Sequence, residues 1–231
     1  MFKVTPQPQG TSIKSVVNIE AWEDEHFESQ AIRIKEMYYK YRAKRLVIDG
    51  NGLGIGLIDY MIKPQIIPES GDVLPDFGIY NDEEGYYKKY RSDECEENAI
   101  YIMKAHAPEN TEAYSATQTA LTSGKLKFLI DERTAKNKLL ATVAGKNMTP
   151  EKRNAYLKPF VMTGILRDEM MNLREENEGV NIILKPASKK IKKDKFSALA
   201  YGLYYIKQEE DLKKRKRNRD FKQWKFYSHA G

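Results

Sequence analysis

The chain has 231 residues, a mass of 26.8 kDa and a formal net charge of +6, and this length predicts one large domain or one domain with a tail. Hydrophobic residues make up 41% and charged residues 31%, which excludes disorder over most of the chain and predicts a highly charged surface. No apolar run approaches the roughly 18 residues of a membrane-spanning helix. Pro6 and Pro8 stand where a signal peptide carries its apolar stretch. We therefore expect neither membrane insertion nor secretion.

The cysteine and histidine content limits the kinds of metal site. Cys95 is the single cysteine, which excludes an intramolecular disulfide and a cysteine-based zinc cluster and fits a reducing compartment such as the cytoplasm. His26, His106 and His229 are too far apart in the sequence to supply the paired ligands of a transition-metal site. Any metal is therefore expected to be held by carboxylates.

The first predicted elements are a strand and a helix. Residues 13–22 alternate between apolar and polar side chains, with Val17, Ile19 and Ala21 on the predicted inward face of a half-buried strand. Ser29 is the predicted cap of the helix that follows, whose polar side chains, Lys35 among them, face water. The apolar stripe of this helix consists of Ala31, Ile34, Tyr38 and Tyr41.

A second strand and a glycine-rich turn come next. Residues 46–49 form a short apolar run without polar alternation, as expected of a strand covered on both faces, and the run stops at Asp49. Residues 50–56 predict a flexible, close-packed glycine turn, followed by a short helix that ends at Pro64. Strand, helix, strand, turn and helix in this order predict an α/β sheet.

The rest of the chain is predicted to continue this alternation. Residues 63–98 are rich in Pro, Gly, Asp and Glu and predict a long loop or insertion. A last amphipathic helix begins near Asp194 and continues into a basic tail. Between them we predict strands at 99–103, 125–130 and 180–184, a helix over 111–121, and a helix that starts at Thr149 and is interrupted at Pro159.

Basic charge is concentrated near the C-terminus. Residues 185–225 contain 15 Lys and Arg against 5 Asp and Glu, a balance of +10 that leaves −4 for the rest of the chain. The two basic blocks are residues 189–195 and residues 213–219. This pattern favours a polyanionic partner, nucleic acid before anionic lipid, although a solvated loop followed by a basic helix end has the same composition.

The glycine turn matches no nucleotide-binding or calcium-binding motif. No register of its glycines gives G-x-G-x-x-G, no Walker loop occurs in the chain, and Leu53 and Tyr60 occupy ligand positions of a calcium loop. What remains is Asp49, which ends a predicted buried strand where open α/β sheets place ligands, but which also belongs to an ordinary turn sequence. Asp194 heads the last helix, as either a ligand or an N-cap. Two such acids on neighbouring elements predict a site for Mg²⁺ or Mn²⁺.

Three segments together resemble the nuclease domain of tailed-phage terminase large subunits. They are Ile48-Asp-Gly-Asn-Gly-Leu-Gly, the preceding Gln30-Ala-Ile-Arg-Ile-Lys helix, and the later Lys193-Asp-Lys-Phe-Ser-Ala-Leu-Ala-Tyr. The resemblance covers about residues 15–206. It implies an RNase H-like mixed sheet flanked by helices, over residues 1–211, with a basic helical tail over residues 212–231. It also implies an endonuclease that cuts concatemeric viral DNA during packaging.

The resemblance assigns roles to particular residues. Asp49 and Asp194 match the family's catalytic acids and are the implied ligands of two Mg²⁺ or Mn²⁺ ions. Asp59 on the short helix is a further candidate. The candidate contacts to DNA are Lys190, Lys192, Lys193 and Lys195.

The sequence departs from the family at its start. The family's first catalytic Asp lies on an earlier strand and its ATPase domain precedes the nuclease domain, and neither is present here. Glu20 and Asp24 are candidate substitutes for the missing acid. We therefore expect an incomplete nuclease, inactive by itself or completed by a separate chain that carries the ATPase domain and the first strands.

The resemblance also implies partners and a location. The implied partners are double-stranded DNA, the portal protein and the small terminase subunit, in the host cell cytoplasm. The alternative is a non-catalytic module whose basic C-terminus binds DNA or a packaging partner, with Asp49 and Asp194 serving as turn and cap residues.

Overall fold

In a computed structural model, residues 1–8, 10–23, 25–188 and 190–228 are described. Over these residues the protein is mixed α/β, with seven α-helices and four small sheets, none of them closed. This confirms the α/β class. The chain divides into two compact units: a central unit, Trp22–Glu109, and a terminal unit, Met1–Ala21 with Asn110–Gly231. The predicted boundary after residue 211 falls inside one continuous helix.

The elements follow one another in short segments. The strands are β1 (Phe2–Thr5), β2 (Ile13–Val16), β3 (Leu46–Asp49), β4 (Gln65–Ile66), β5 (Val73–Leu74), β6 (Phe77–Ile79), β7 (Glu96–Met103), β8 (Leu126–Lys127), β9 (Leu173–Glu178) and β10 (Asn181–Pro186). The helices are α1 (Phe27–Lys40), α2 (Leu53–Met61), α3 (Ala107–Thr122), α4 (Glu132–Leu140), α5 (Val143–Lys146), α6 (Pro150–Met171) and α7 (Asp194–Ser228). Within the described ranges, none of the helices combines the length and the apolar character needed to cross a membrane.

The central unit is built on a three-stranded parallel sheet in the order β3-β7-β6. The register places Asp49 opposite Met103, so β3 and β7 end at the same edge of the sheet. Apolar side chains of α1, α2 and the three strands form one core. Its buried members are Ala31, Tyr38, Ile48, Ile58, Met61, Ile62, Phe77, Ile79, Ala99, Ile100 and Ile102. The strands predicted at 46–49 and 99–103 are therefore confirmed.

The prediction of a long loop over residues 63–98 is confirmed for most of the segment but is wrong at its short strands. This segment contains the antiparallel pair β4-β5 and the strand β6, whose Phe77 and Ile79 are 1% and 2% exposed. Three residues of strand are too few to show a period of two, and the polar residues around β6 hide it in composition.

Helix α1 differs from its prediction at its start and on one face. It begins at Phe27 with His26 as N-cap, so Ser29 is inside the helix and does not cap it. The predicted outward side chain Lys35 is completely buried. Its Nζ donates to the carbonyl oxygens of Lys63 at 2.6 Å and Pro75 at 2.8 Å. Backbone acceptors from two distant segments thus make a buried ammonium tolerable.

The terminal unit contains a small sheet in the order β1-β2-β8 and the hairpin β9-β10. The inward and outward faces of β2 are the reverse of those predicted, because Lys14 and Val16 are buried while Val17 is exposed. The ammonium of Lys14 lies 2.9 Å from the carboxylate of Glu210 on α7, and this ion pair permits a lysine on the inward face.

Helices α6 and α7 begin where they are predicted, whereas α4 and α5 were not predicted. Thr149 caps α6 by accepting a hydrogen bond from the Lys152 backbone N–H, and α6 continues through Pro159 without interruption, so the predicted break there is wrong. Helix α3 covers the predicted 111–121, whereas the strand predicted at 125–130 shrinks to β8. The predicted stripe of α7 is buried at Phe196, Leu199 and Leu203.

Candidate functional site

Asp49 is the last residue of β3 and its side chain is exposed. Its Oδ1 accepts a hydrogen bond from the backbone N–H of Asn51 at 3.0 Å, which fixes the direction of the carboxylate above the strand end. Among the described residues it has no cationic partner. The carboxylate therefore stands at the carboxyl edge of a parallel sheet with one oxygen open to a ligand.

The glycine turn is set by close contacts around this strand end. A Cβ on Gly54 would lie 1.6 Å from the carbonyl oxygen of Asp49, and a Cβ on Gly50 would lie 2.4 Å from Cγ2 of Ile102. Gly52 has a φ of +55°, which L side chains rarely adopt. The predicted turn is confirmed only over residues 50–52, because residues 53–56 already belong to α2. The contact at Gly54 holds the first turn of α2 directly against the backbone of Asp49.

Asp194 is the first residue of α7 and its side chain is also exposed. The N-cap interpretation of this residue is wrong, because the cap comes from another helix. Glu169 of α6 is 4% exposed, and its Oε2 accepts the backbone N–H of Phe196 at 3.0 Å. Its Oε1 accepts from Nζ of Lys195 at 3.1 Å. Asp194 is therefore left free of the capping role, with no cationic partner among the residues described.

Sequence reasoning missed Glu169, and its substitution gives a measurable effect. Glu169→Ala leaves the Phe196 N–H without its acceptor, so we expect the terminal unit to lose about 1 to 3 kcal/mol of stability. Hydrogen exchange of the α7 backbone amides near Phe196 should accelerate in the variant. The matched control is Asp168→Asn at an exposed neighbouring position, which should leave exchange in α7 unchanged.

The four lysines predicted to contact DNA divide into two pairs. Lys193 donates to the carbonyl of Leu184 at 3.1 Å, and Lys195 pairs with Glu169. Lys190 and Lys192 are exposed. The ammonium groups of Lys193 and Lys195 thus hold the start of α7, while Lys189 lies outside the described residues.

The two candidate metal ligands, Asp49 and Asp194, are individual carboxylates on different elements. Asp49 belongs to the central unit and Asp194 to the terminal unit, and their convergence on one site stays a prediction. In the part of the chain that is described, no group of three or more His, Cys, Asp or Glu side chains could hold a metal ion. Oxygen ligands without cationic partners do fit a hard divalent ion.

The other candidate acids have varied surroundings. Asp59 is exposed on α2, and Oε1 of Glu20 already accepts from the side-chain amide of Asn18 at 2.9 Å. Asp24 lies outside the described residues.

A buried polar cluster lies at the other end of the central sheet. Asp76 immediately precedes β6, and its carboxylate accepts from the hydroxyl of Ser92 and from the Ser92 backbone N–H at 3.0 Å. Burial acts to raise the pKa of Asp76, but the hydrogen bonds from Ser92 and Cys95 prevail and lower it. Burial and the bond to Asp76 raise the pKa of Cys95 to about 12.

Lys35 completes this cluster. Burial lowers its pKa to about 8, against the opposing attraction of Asp76. Because β3, β6 and β7 are parallel, Asp76 and Asp49 mark opposite ends of the sheet. The cluster therefore belongs to the support of the central unit rather than to the edge that carries Asp49.

Comparison of the chain with protein-family models, with curated proteins and with solved structures found no match. What the fold defines is a mixed α/β protein.

Proposed function

We propose that this chain is a metal-dependent DNA endonuclease domain of the terminase type, with an RNase H-like fold. In this proposal it cleaves concatemeric viral DNA in the host cytoplasm by phosphodiester hydrolysis with two Mg²⁺ or Mn²⁺ ions. The observation that supports this proposal most directly is the position of Asp49. Its carboxylate is exposed, has no cationic partner among the described residues, and is held at the carboxyl edge of a parallel strand by the Asn51 N–H.

The roles of the chain's own residues follow from their surroundings. Asp49 and Asp194 would hold the ions, with the Asn51 N–H orienting the first and the Glu169 cap fixing the start of the helix that carries the second. When bound, such ions lower the pKa of water and stabilise the leaving oxygen of the phosphodiester. Lys190 and Lys192 are exposed and would contact phosphate.

The partners belong to the same proposal. They are double-stranded DNA, the portal protein, the small terminase subunit, and a separate chain that carries the ATPase domain and the first strands of the nuclease.

The test of this function separates the two aspartates from other acids. Asp49→Asn and Asp194→Asn should each abolish Mn²⁺ binding in calorimetry. In the chain joined to the piece that carries the first strands, each should also reduce Mn²⁺-dependent plasmid nicking by roughly 100-fold or more, since even outer-shell partners of metal ligands contribute about 10 to 100-fold. Glu69→Gln and Asp168→Asn remove exposed acids from the same two units and should change neither quantity. Unchanged Mn²⁺ binding in both aspartate variants would contradict the proposal.

The second candidate is a non-catalytic DNA-binding fragment, and α7 favours it. Residues 213–217 of this helix are all basic and all exposed. If calorimetry detects no Mn²⁺ binding, and replacing these residues by glutamine removes a salt-sensitive affinity for DNA, the fragment is the better description.

A further inference from the structure

Helix α4 contacts both α5 and α6, and we call these three helices together the helical hairpin. An open cavity of about 210 Å³ is lined by Ile130, Asp131 and Glu132 on one side and by residues of the segment 160–168 on the other. The start of α4 therefore lies beside the C-terminal half of α6, and the short α5 lies between the two helices in the chain. We call residues 136–158 the hairpin tip.

Charge is separated along this hairpin. The tip contains six Lys and Arg against the single acid Glu151. The cavity at the other end is bordered by Asp131, Glu132 and Asp168, while Arg167 there donates to the carbonyl of Leu129 at 3.0 Å. The basic character of the tip is hidden in the whole-chain count, because residues outside 185–225 sum to a negative charge.

The lysines of the tip are available to a partner. All five are exposed, and none has a side-chain partner among the described residues. They are Lys136, Lys138, Lys146, Lys152 and Lys158. Arg153 differs, since it is half-buried and its Nη2 donates to the carbonyl of Met148 at 3.2 Å.

Capping fixes the conformation of the tip. The Thr142 hydroxyl accepts from the Gly145 N–H at 3.0 Å at the start of α5, and Thr149 caps α6 in the same way. The lysines are therefore presented by capped helices rather than by a loop.

We infer that the hairpin tip contacts the phosphate backbone of double-stranded DNA, at a surface distinct from the basic segment of α7. Five exposed lysines against a single acid within residues 136–158 give this segment a basic surface that complements the phosphates of a duplex. The exposed large apolar side chains of the tip, Val143 and Tyr156, do not form the continuous apolar face that insertion into a lipid surface requires. The choice of DNA as the polyanion rests on the proposed function, whereas the basic charge of the tip is independent of that proposal.

The test is DNA binding by the full chain, measured by fluorescence anisotropy with a labelled duplex over a range of salt concentrations and without divalent metal. The tip variant carries Lys136→Gln, Lys138→Gln, Lys146→Gln and Lys152→Gln. We expect its affinity to fall about 10-fold or more near 0.1 M salt, with a slope of log affinity against log salt smaller by about 2 to 4. The control carries Lys3→Gln, Lys44→Gln, Lys104→Gln and Lys127→Gln, which remove the same charge from exposed positions elsewhere and should change affinity less than about 2-fold.

A second tip variant with arginine at the same four positions keeps the charge and should keep the affinity. If the glutamine variants of the tip and of the control bind DNA equally well, the inference is overturned. It is also overturned if the tip variant loses as much affinity for an RNA duplex or for anionic vesicles as it loses for DNA. If the affinity for DNA depends on the tip but the Asp49→Asn and Asp194→Asn variants bind Mn²⁺ normally, the inference about the tip is supported and the proposed nuclease function is rejected.

Discussion

Gly54→Ala is expected to destabilise the central unit by about 3 kcal/mol, more than most single substitutions do. The reason is geometric: the new Cβ would lie 1.6 Å from the carbonyl oxygen of Asp49, and a backbone atom cannot move aside as a flexible side chain can. Either α2 shifts away from β3 or the end of β3 is displaced. Urea unfolding followed by far-UV circular dichroism measures the loss, and hydrogen exchange should locate it in β3 and α2.

Gly164→Ala provides the control for this substitution. Gly164 lies inside α6, is exposed, and a Cβ there would meet no atom within 4 Å. Alanine should therefore raise stability by up to about 1 kcal/mol through helix propensity alone. A Gly54→Ala variant as stable as the parent would show that the turn is not held against Asp49, and would remove the geometric basis of the candidate site.

The parts of the fold that the sequence predicted are those governed by neighbouring residues. The apolar run of β3 ending at Asp49, the glycine turn after it and the buried stripe at the start of α7 each depend on local pattern, and each is present. The edge position of Asp49 followed directly from them. RNase H-like topology and the pairing of Asp49 with Asp194 require more than local pattern, and they stay predictions.

The parts that the sequence did not predict depend on distant partners. The pattern of α1 predicts that Lys35 faces water. It misses the burial of this side chain because the carbonyl acceptors lie 28 and 40 residues away in the sequence. Glu169 caps a helix whose Phe196 lies 27 residues later, and Lys14 pairs with Glu210 across 196 residues. Periodicity counts apolar side chains, so it places a charged residue in water even where the fold supplies a buried partner.

Lys35 should make the stability of the central unit rise with pH above neutrality. Its pKa is about 8 in the folded protein against an ordinary 10.5, so the unfolded chain binds its proton more tightly between these values. The free energy of unfolding must then increase as pH rises through this window.

Cys95 acts in the opposite direction above pH 9, because its pKa is raised from 9.0 to about 12 and the unfolded chain loses that proton first. The raised pKa of Tyr39, about 12, adds a further loss above pH 10.

The Cys95→Ala background therefore isolates the contribution of Lys35. In that background we expect the free energy of unfolding to rise by about 2 kcal/mol between pH 7 and pH 10, measured by urea titration at each pH. Adding Lys35→Met should abolish the rise, whereas Lys44→Met, which removes an exposed ammonium from the same unit, should leave it intact. A profile that stays flat with Lys35 present would show that this ammonium is hydrated in solution, and that the core around α1 is more open than its packing against Phe77 and the two carbonyls requires.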